Sequence, residues 1–165
     1  MFLGGARSGK SRLALSATER HQGPLNYLAT AEARDEEMAE RIAYHQADRD
    51  ERWRTIECAV DLPEAIAAIT AGAILVDCLT LWLSNLMLSG RDIEHRSQHL
   101  IAVIRATPLP LAVVTNEVGL GIVPDHPLGR TFRDAAGRLN QAVAAEMDVA
   151  YFVAAGLLLP LQKPV

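Results

Sequence analysis

The fold is indicated by Gly4-Gly5-Ala6-Arg7-Ser8-Gly9-Lys10-Ser11, which fits the pattern GxxxxGK[ST] at every position. Glycines allow backbone N–H groups to turn inward around phosphate oxygens. A helix that begins near Lys10 adds the positive end of its dipole. In this pattern the lysine reaches the terminal phosphates of a nucleotide, and the serine hydroxyl is a ligand for Mg²⁺. The sequence therefore predicts a phosphate-binding loop, with Lys10 as a catalytic cation and Ser11 as a metal ligand.

Short apolar runs alternate with longer segments of helical periodicity on both sides of this loop. Five runs are too short for helices and are bounded by turn residues or acids, which predicts buried strands: Phe2-Leu3, Leu25–Ala29, Ala73–Val76, Leu111–Thr115 and Val149–Val153. Six segments are predicted to be helices: Lys10–Arg20, Asp35–Asp50, Leu62–Thr70, Thr80–Leu88, Ile93–Arg105 and Leu128–Met147. This alternation predicts one α/β domain over residues 1–165, with a mostly parallel sheet flanked by helices.

The composition narrows the class of protein. The chain has 165 residues, of which 50% are hydrophobic and 22% charged, with a net charge of −4. No basic tract points to nucleic acid, and the longest uncharged run is shorter than the roughly 18–20 apolar residues that a membrane span needs. Cys58 and Cys78 lack zinc-site spacing and are typical of reduced thiols. We expect a cytoplasmic protein that binds neither nucleic acid nor membrane.

Two further strand ends carry polar residues. Asp77 follows a buried strand and would hold Mg²⁺ directly or through water, although an acid that caps the next helix would look the same. Asn116 and Glu117 follow another strand, in place of the NKxD segment expected of a signalling GTPase. Because ligands bind at the carboxyl ends of parallel strands, both should face the phosphate-binding loop. A structured turn explains these two residues equally well.

His45 lies on an apolar stripe of the predicted helix Asp35–Asp50. From spacing alone, a packed core residue is the favoured interpretation. Arg41 and Arg49 lie one turn to either side, and cations there keep the imidazole neutral and nucleophilic. The same arginines could hold nucleotide phosphates. A neutral imidazole that attacks an α-phosphate would form a phosphoramidate, which makes His45 a candidate nucleophile.

Five blocks in a fixed order make the chain recognisable: Gly4–Ser11; 39–45 (AERIAYH) followed by Trp53–Glu57; 76–82 (VDCLTLW) with 84–86 (SNL); 115–119 (TNEVG) with 121–124 (GIVP); and 132–134 (FRD) with 137–141 (GRLNQ). This set strongly resembles the bifunctional adenosylcobinamide kinase / adenosylcobinamide-phosphate guanylyltransferase family of cobalamin biosynthesis. The resemblance covers nearly the whole chain.

The resemblance implies a RecA-like P-loop fold and two reactions. ATP or GTP phosphorylates adenosylcobinamide, and GTP then donates GMP to the product to give adenosylcobinamide-GDP. The implied partners are this corrinoid and its phosphate, and the implied assembly is a homotrimer. By position in the family pattern, His45 would carry the guanylyl group. The implied nucleotide contacts are Gly4, Gly5, Ala6, Arg7, Ser8, Gly9, Lys10, Ser11, Thr30, Ala31, Glu32, Arg49, Glu57 and Asp77, with Mg²⁺ on Ser11 and Asp77.

Two other classes of function remain compatible with the residues. One is a small-molecule P-loop kinase without guanylyltransferase activity, in which His45 is structural. The other is a non-enzymatic GTP-binding module. The kinase predicts no covalent GMP, and the module predicts neither turnover nor affinity for a corrinoid. The arginines around His45 and the missing NKxD segment favour the bifunctional enzyme.

Overall fold

The computed structural model describes residues 1–32 and 50–163, which form an α/β fold. Its strands are β1 (Phe2–Gly4), β2 (Leu25–Ala29), β3 (Trp53–Glu57), β4 (Ala73–Asp77), β5 (Leu111–Asn116), β6 (Ala150–Ala154) and β7 (Leu157–Leu161). The helices of the described part are α1 (Lys10–Thr18), α2 (Leu62–Ala67), α3 (Leu79–Leu88), α4 (Ile93–Ala106) and α5 (Pro127–Glu146).

The seven strands form one sheet in the order β3-β2-β4-β5-β1-β6-β7. All neighbours are parallel except β6 and β7, which are antiparallel. Strand β1 lies between β5 and β6, with Gly4 opposite Asn116 and Val153. The carboxyl end of β1, where the phosphate-binding loop begins, is therefore next to the carboxyl end of β5. Strand β4 lies on the other side of β5, which places Asp77 on the same edge.

The central strand β4 is buried on both faces of the sheet. Ile74 and Val76 belong to the large cluster that packs against α2 to α5, whereas Leu75 belongs to the smaller cluster around Ala14 of α1. Each of these three strand residues is at most 1% exposed. Burial of one such side chain stabilises the fold by about 1.5–3 kcal/mol. Continuous apolar runs form strands here because both faces of the sheet exclude water.

The predicted strands and most helices are confirmed, with ends that differ by a few residues. Helix α1 ends at Thr18 and α2 at Ala67, while α3 and α5 each begin one residue earlier than predicted. The predicted helix Asp35–Asp50 lies outside the described residues except for its last position. Pro63 lies in the first turn of α2, where a proline is tolerated because the helix does not need its N–H. Within the described ranges, no helix is long and apolar enough to cross a membrane.

The sequence analysis missed two strands at the edges of the sheet. Trp53–Glu57 pairs only with β2 and keeps three of its five residues exposed, so it lacks the continuous apolar run of a central strand. Leu157–Leu161 pairs with β6 and exposes all five residues, although four of them are leucines. A proline at position 160 is tolerated because an edge strand needs backbone hydrogen bonds on one side only.

Candidate active site

The phosphate-binding loop (residues 4–11) connects β1 to α1 and is held by the sheet around it. A Cβ on Gly4 would collide with the carbonyl oxygen of Val153, so only glycine fits at this strand end. Gly9 has φ 95° at the start of α1, a conformation that glycine adopts without strain. The turn after β6 supports the loop from outside, because the Gly156 N–H donates to the Ser8 carbonyl over 2.8 Å.

Two side chains of the loop, those of Lys10 and Ser8, are suited to binding an anion. Lys10 is 7% exposed, and its ammonium donates to the carbonyl oxygen of Gly5 across the loop over 3.1 Å. The buried hydroxyl of Ser8 has no hydrogen-bond partner among residues 1–32 and 50–163. Buried polar groups are normally satisfied, so an orphaned hydroxyl inside this loop indicates a ligand. A phosphate in the loop would supply acceptors for both side chains.

Ser11 and Asp77 form a pair of oxygen ligands at the mouth of the loop. The Ser11 hydroxyl donates to Asp77 Oδ1 over 3.5 Å. The other carboxylate oxygen, Oδ2, accepts a hydrogen bond from the hydroxyl of Tyr27 over 2.9 Å. Asp77 does not cap α3, because Cys78 occupies that cap position. The capping alternative is therefore not what the structure shows, and the carboxylate faces the first turn of α1.

Thr30 fixes the backbone that follows Asp77. Its hydroxyl donates to the carbonyl of Cys78 and accepts from the Cys78 N–H, both over 2.8 Å. The Thr30 N–H also donates to the Asp77 carbonyl over 3.2 Å. Thr30 is completely buried, so its side chain serves this strand end. Burial raises the pKa of the Cys78 thiol to about 11, which keeps that group neutral beside Asp77.

The remaining predicted contacts lie along the carboxyl edge of the sheet. Ala31 and Glu32 follow Thr30 after the end of β2, and Glu57 ends the neighbouring β3. Glu32 and Glu57 are both exposed. His45 and Arg49 lie outside the described residues. The structure thus brings the loop, Thr30 to Glu32, Glu57 and Asp77 to one edge.

Asn116 lies on the same edge and is held through its backbone. Its N–H donates to the Thr80 hydroxyl over 2.7 Å, and its carbonyl accepts from the amide of Asn140 over 3.1 Å. The Thr115 hydroxyl donates to Asn140 Oδ1 over 2.8 Å. Because the Thr115 proton is used there, the Thr80 hydroxyl must donate to the Thr115 oxygen, which is 3.2 Å away. This buried network joins β5 to α3 and α5. The side-chain oxygen of Asn116 is buried and has no hydrogen-bond partner in the part of the chain that the structure describes.

Glu117 begins a loop that continues to α5. Its N–H donates to the Gly4 carbonyl over 3.0 Å, and its carboxylate accepts from the N–H of Gly119. A structured turn therefore accounts for Glu117, as the alternative interpretation held. Arg133 donates to the Gly119 carbonyl and ties the loop to α5. Beyond this anchor the loop exposes Leu120, Ile122 and Val123.

Sequence analysis missed three residues that shape the site, namely Tyr27, Thr80 and Asn140. Tyr27 lies in a predicted strand and Thr80 begins a predicted helix, so each had an ordinary structural explanation. A polar side chain within an apolar element was their only local signal. Their hydrogen bonds to Asp77 and Asn116 span 50, 36 and 24 positions of the chain, and no spacing rule predicts such pairs.

A family comparison supports the chemistry that this geometry suggests. A model of the family described as cobinamide kinase / cobinamide phosphate guanyltransferase matches residues 1–161. The match spans the phosphate-binding loop, Asp77 and Asn116 alike.

Comparison with curated proteins finds three bacterial relatives. The bifunctional adenosylcobalamin biosynthesis protein CobP of Pseudomonas aeruginosa is 42% identical over 98% of this chain and 96% of its own length. The bifunctional adenosylcobalamin biosynthesis proteins CobU of Salmonella typhimurium and Escherichia coli are 42% and 40% identical, each over 95% of this chain and 96% of their own length.

Proposed function

The chain belongs to the cobinamide kinase / cobinamide phosphate guanyltransferase family, and from this premise we propose that it catalyses both reactions of that name on adenosylcobinamide. In the first, a nucleoside triphosphate phosphorylates the hydroxyl of the corrinoid. In the second, GTP transfers GMP to the resulting phosphate and releases pyrophosphate, which yields adenosylcobinamide-GDP. ATP and GTP are both candidate donors for the first reaction.

The observation that carries this proposal is the convergence of the phosphate-binding loop with Asp77. Phosphoryl transfer requires positioning and charge neutralisation more than covalent chemistry. The loop N–H groups and Lys10 would hold the phosphates, and Lys10 would leave the Gly5 carbonyl for them. Both catalytic steps use a nucleoside triphosphate, so a single loop serves both, with a different phosphorus atom attacked in each.

The described residues also fit Mg²⁺. Magnesium is commonly held by one or two carboxylates together with the substrate phosphates. Ser11 and Asp77 offer a hydroxyl and a carboxylate oxygen 3.5 Å apart, close enough to share one cation after a small adjustment. Bound there, Mg²⁺ would neutralise the charge of the phosphates. Tyr27 would keep the Asp77 carboxylate in the orientation that ligation needs.

We assign the guanylyl transfer to His45, on the family pattern and the arginines that flank it in sequence. The imidazole would attack the α-phosphorus of GTP and form a P–N bond, while the bond to the pyrophosphate breaks. The corrinoid phosphate would then displace His45. Ala31, Glu32, Arg49 and Glu57 are the proposed contacts to the nucleoside, since three of them lie on the carboxyl edge of β2 and β3.

The remaining proposals concern substrate, assembly and location. The enzyme binds adenosylcobinamide and its phosphate, works in the cytoplasm, and assembles as a homotrimer, as the family resemblance implies. The exposed leucines of β7 are compatible with a surface covered in an assembly. Light scattering combined with size-exclusion chromatography tests the trimer directly, because a monomer has a mass of 17.9 kDa.

The experiment that tests the two-step function is a labelling assay. The purified protein is incubated with Mg²⁺ and GTP labelled at the α-phosphate, then denatured, and the label that stays on the chain is measured. A phosphoramidate is stable in base and labile in acid. We expect retained label with this profile and its release on addition of cobinamide phosphate.

Two histidine variants make the assay specific. His45→Ala should lose the label and retain part of the kinase activity, whereas His95→Ala, an exposed position on α4, should keep both. A wild-type protein that phosphorylates cobinamide without retaining label would support the kinase without transferase activity. A protein that binds GTP and turns over neither substrate would support the binding module.

A further inference from the structure

Asn116 carries a buried side-chain oxygen that no described residue uses as a hydrogen-bond acceptor. Among residues 1–32 and 50–163, the buried side-chain atoms without a partner are the hydroxyl oxygen of Ser8 and Oδ1 of Asn116. One belongs to the phosphate-binding loop and the other to the adjacent strand end. An unpaired buried amide oxygen destabilises the folded state, because it has lost its hydrogen bonds to water. Two such atoms at one crevice indicate groups that a ligand satisfies.

The position of Asn116 relative to the phosphates follows from strand register. Asn116 is the register partner of Gly4, where the phosphate-binding loop begins. The N–H of Glu117, the residue after β5, donates to the Gly4 carbonyl. On the opposite side, β5 pairs with β4, and Asp77 is opposite Val114. Asn116 thus lies between the loop and the proposed metal ligand, on the carboxyl edge of the sheet, where ligands bind in open α/β folds.

The backbone of Asn116 is immobilised by two buried polar residues, which also hydrogen-bond to the side chain of Thr115. Thr80 and Asn140 are 8% and 7% exposed, and they bind the N–H and the carbonyl of Asn116 respectively. Burying polar groups is unfavourable unless they form hydrogen bonds. A network from three elements that holds one strand-end residue, yet leaves its amide oxygen unpaired, positions that oxygen for an external donor.

We propose that Asn116 Oδ1 accepts a hydrogen bond from the hydroxyl of the phosphoryl acceptor and orients that oxygen toward the γ-phosphorus. This inference rests on the proposed kinase function. In the step, the hydroxyl oxygen forms a bond to the γ-phosphorus, and the bond from that phosphorus to the β–γ bridging oxygen breaks. The electron pair leaves with the nucleoside diphosphate, and the hydroxyl proton is released to solvent. The amide orients the nucleophile and is not a base.

The proposed role of Asn116 affects the phosphorylation of the corrinoid and not the guanylylation of the histidine. Guanylylation of a histidine involves no acceptor hydroxyl, so it provides an internal control. Asn116→Ala should lower kcat for cobinamide phosphorylation about tenfold, the value of one neutral hydrogen bond. Nucleotide affinity, the Mg²⁺ requirement and the amount of α-phosphate label retained on the chain should stay within twofold of wild type.

Folding of the variant is checked independently. The side chain of Asn116 makes no hydrogen bond to the described residues, and both backbone anchors remain in Asn116→Ala, so its urea midpoint should not fall below that of wild type. Asn116→Ser is made in parallel as a second truncation with a small polar side chain. Asn140→Ala, by contrast, should both destabilise the fold and lower phosphorylation, because it releases the backbone of Asn116.

Each alternative result overturns the inference in a recognisable way. An unchanged kcat in Asn116→Ala means that the amide contacts no reacting group. Equal losses of nucleotide affinity, label and phosphorylation mean that Asn116 supports the nucleotide site rather than the acceptor. Loss confined to the Mg²⁺ requirement assigns the oxygen to a metal-bound water. If wild-type protein phosphorylates no cobinamide at all, the proposed function fails before the variant is compared.

Discussion

Ser11 and Asp77 are separated by 66 positions in the chain, yet the hydroxyl of Ser11 donates to Asp77 Oδ1 over 3.5 Å. The serine lies in the first turn of α1 and the aspartate ends β4, so the pair joins the phosphate-binding loop after β1 to a strand two places away from β1 in the sheet. Tyr27 secures the second carboxylate oxygen from β2. A charged oxygen is thereby fixed beside a hydroxyl that follows the phosphate-binding lysine.

Asp77→Asn should impair catalysis through the metal. The substitution keeps the shape of the side chain but removes its charge, so Mg²⁺ loses its one protein carboxylate in the described site. We expect phosphorylation to fall about 100-fold or more, beyond the 10- to 100-fold that loss of an outer partner causes. Activity is measured against Mg²⁺ concentration, with Asp92→Asn at the exposed cap of α4 as the matched control. An unchanged Mg²⁺ dependence would refute the assignment.

Tyr27→Phe tests the support of that carboxylate. Without the phenol hydroxyl, Asp77 Oδ2 loses its 2.9 Å donor while the aromatic packing is retained. Phosphorylation should fall about tenfold and half-maximal activity should need more Mg²⁺. Tyr151→Phe is the matched control. Tyr151 belongs to β6, and its ring packs on Phe2 of β1, away from Asp77. Equal activity of the two variants would show that Tyr27 has no part in orienting the carboxylate.

Thr30→Val should reduce stability more than its small change in volume suggests. The hydroxyl satisfies both the N–H and the carbonyl of Cys78, and valine leaves both buried groups unpaired. Each unpaired group costs about 1–3 kcal/mol, so the free energy of unfolding should drop by about 2–6 kcal/mol. Urea unfolding measures this loss. Thr131→Val, at an exposed position of α5, should change stability by less than about 0.5 kcal/mol; similar losses in both variants would contradict the prediction.

The ion pair between Glu64 and Arg96 predicts a pH dependence of stability. The Arg96 guanidinium, at 2.6 and 2.7 Å from the two carboxylate oxygens, lowers the pKa of Glu64 below its usual 4.5. A carboxyl whose folded pKa is depressed stabilises the fold above its unfolded pKa, and this contribution is lost as the pH falls through the folded pKa. The Glu64 side chain is 48% exposed, so the contribution is at most about 1 kcal/mol.

Glu64→Gln should therefore be less stable than wild type at pH 7, and the difference should shrink below the usual Glu pKa of 4.5 and disappear as the pH falls through the lower folded pKa. Urea unfolding at both pH values measures this change. Glu94→Gln provides the comparison, since Glu94 is exposed on α4 and its partner is the neutral Gln98. A difference between Glu64→Gln and wild type that persists undiminished in acid would show that packing, not charge, links α2 to α4.

The elements that could be predicted share a local signal. Ile74–Val76 reads as a strand because every residue is apolar, and the structure buries it on both faces. The edge strand Trp53–Glu57 lacks that signal, because polar residues interrupt its apolar ones, which is why it was missed. For Asn116 and Glu117 the sequence could not choose between a ligand site and a turn. The structure separates them: the Glu117 carboxylate closes a turn onto Gly119, while the Asn116 amide oxygen stays unpaired.

The sequence by itself determined the phosphate-binding loop, because eight consecutive residues contain all the chemistry that the loop needs and their order fixes its path. It also determined the alternation of strands and helices, since periodicity is a property of neighbours along the chain. The tertiary structure alone decided that Tyr27, Ser11 and Asp77 meet, and that Thr80 and Asn140 hold Asn116 beside Gly4. These relationships depend on strand order and register, which are set by the packing of the whole sheet and not by any segment in isolation.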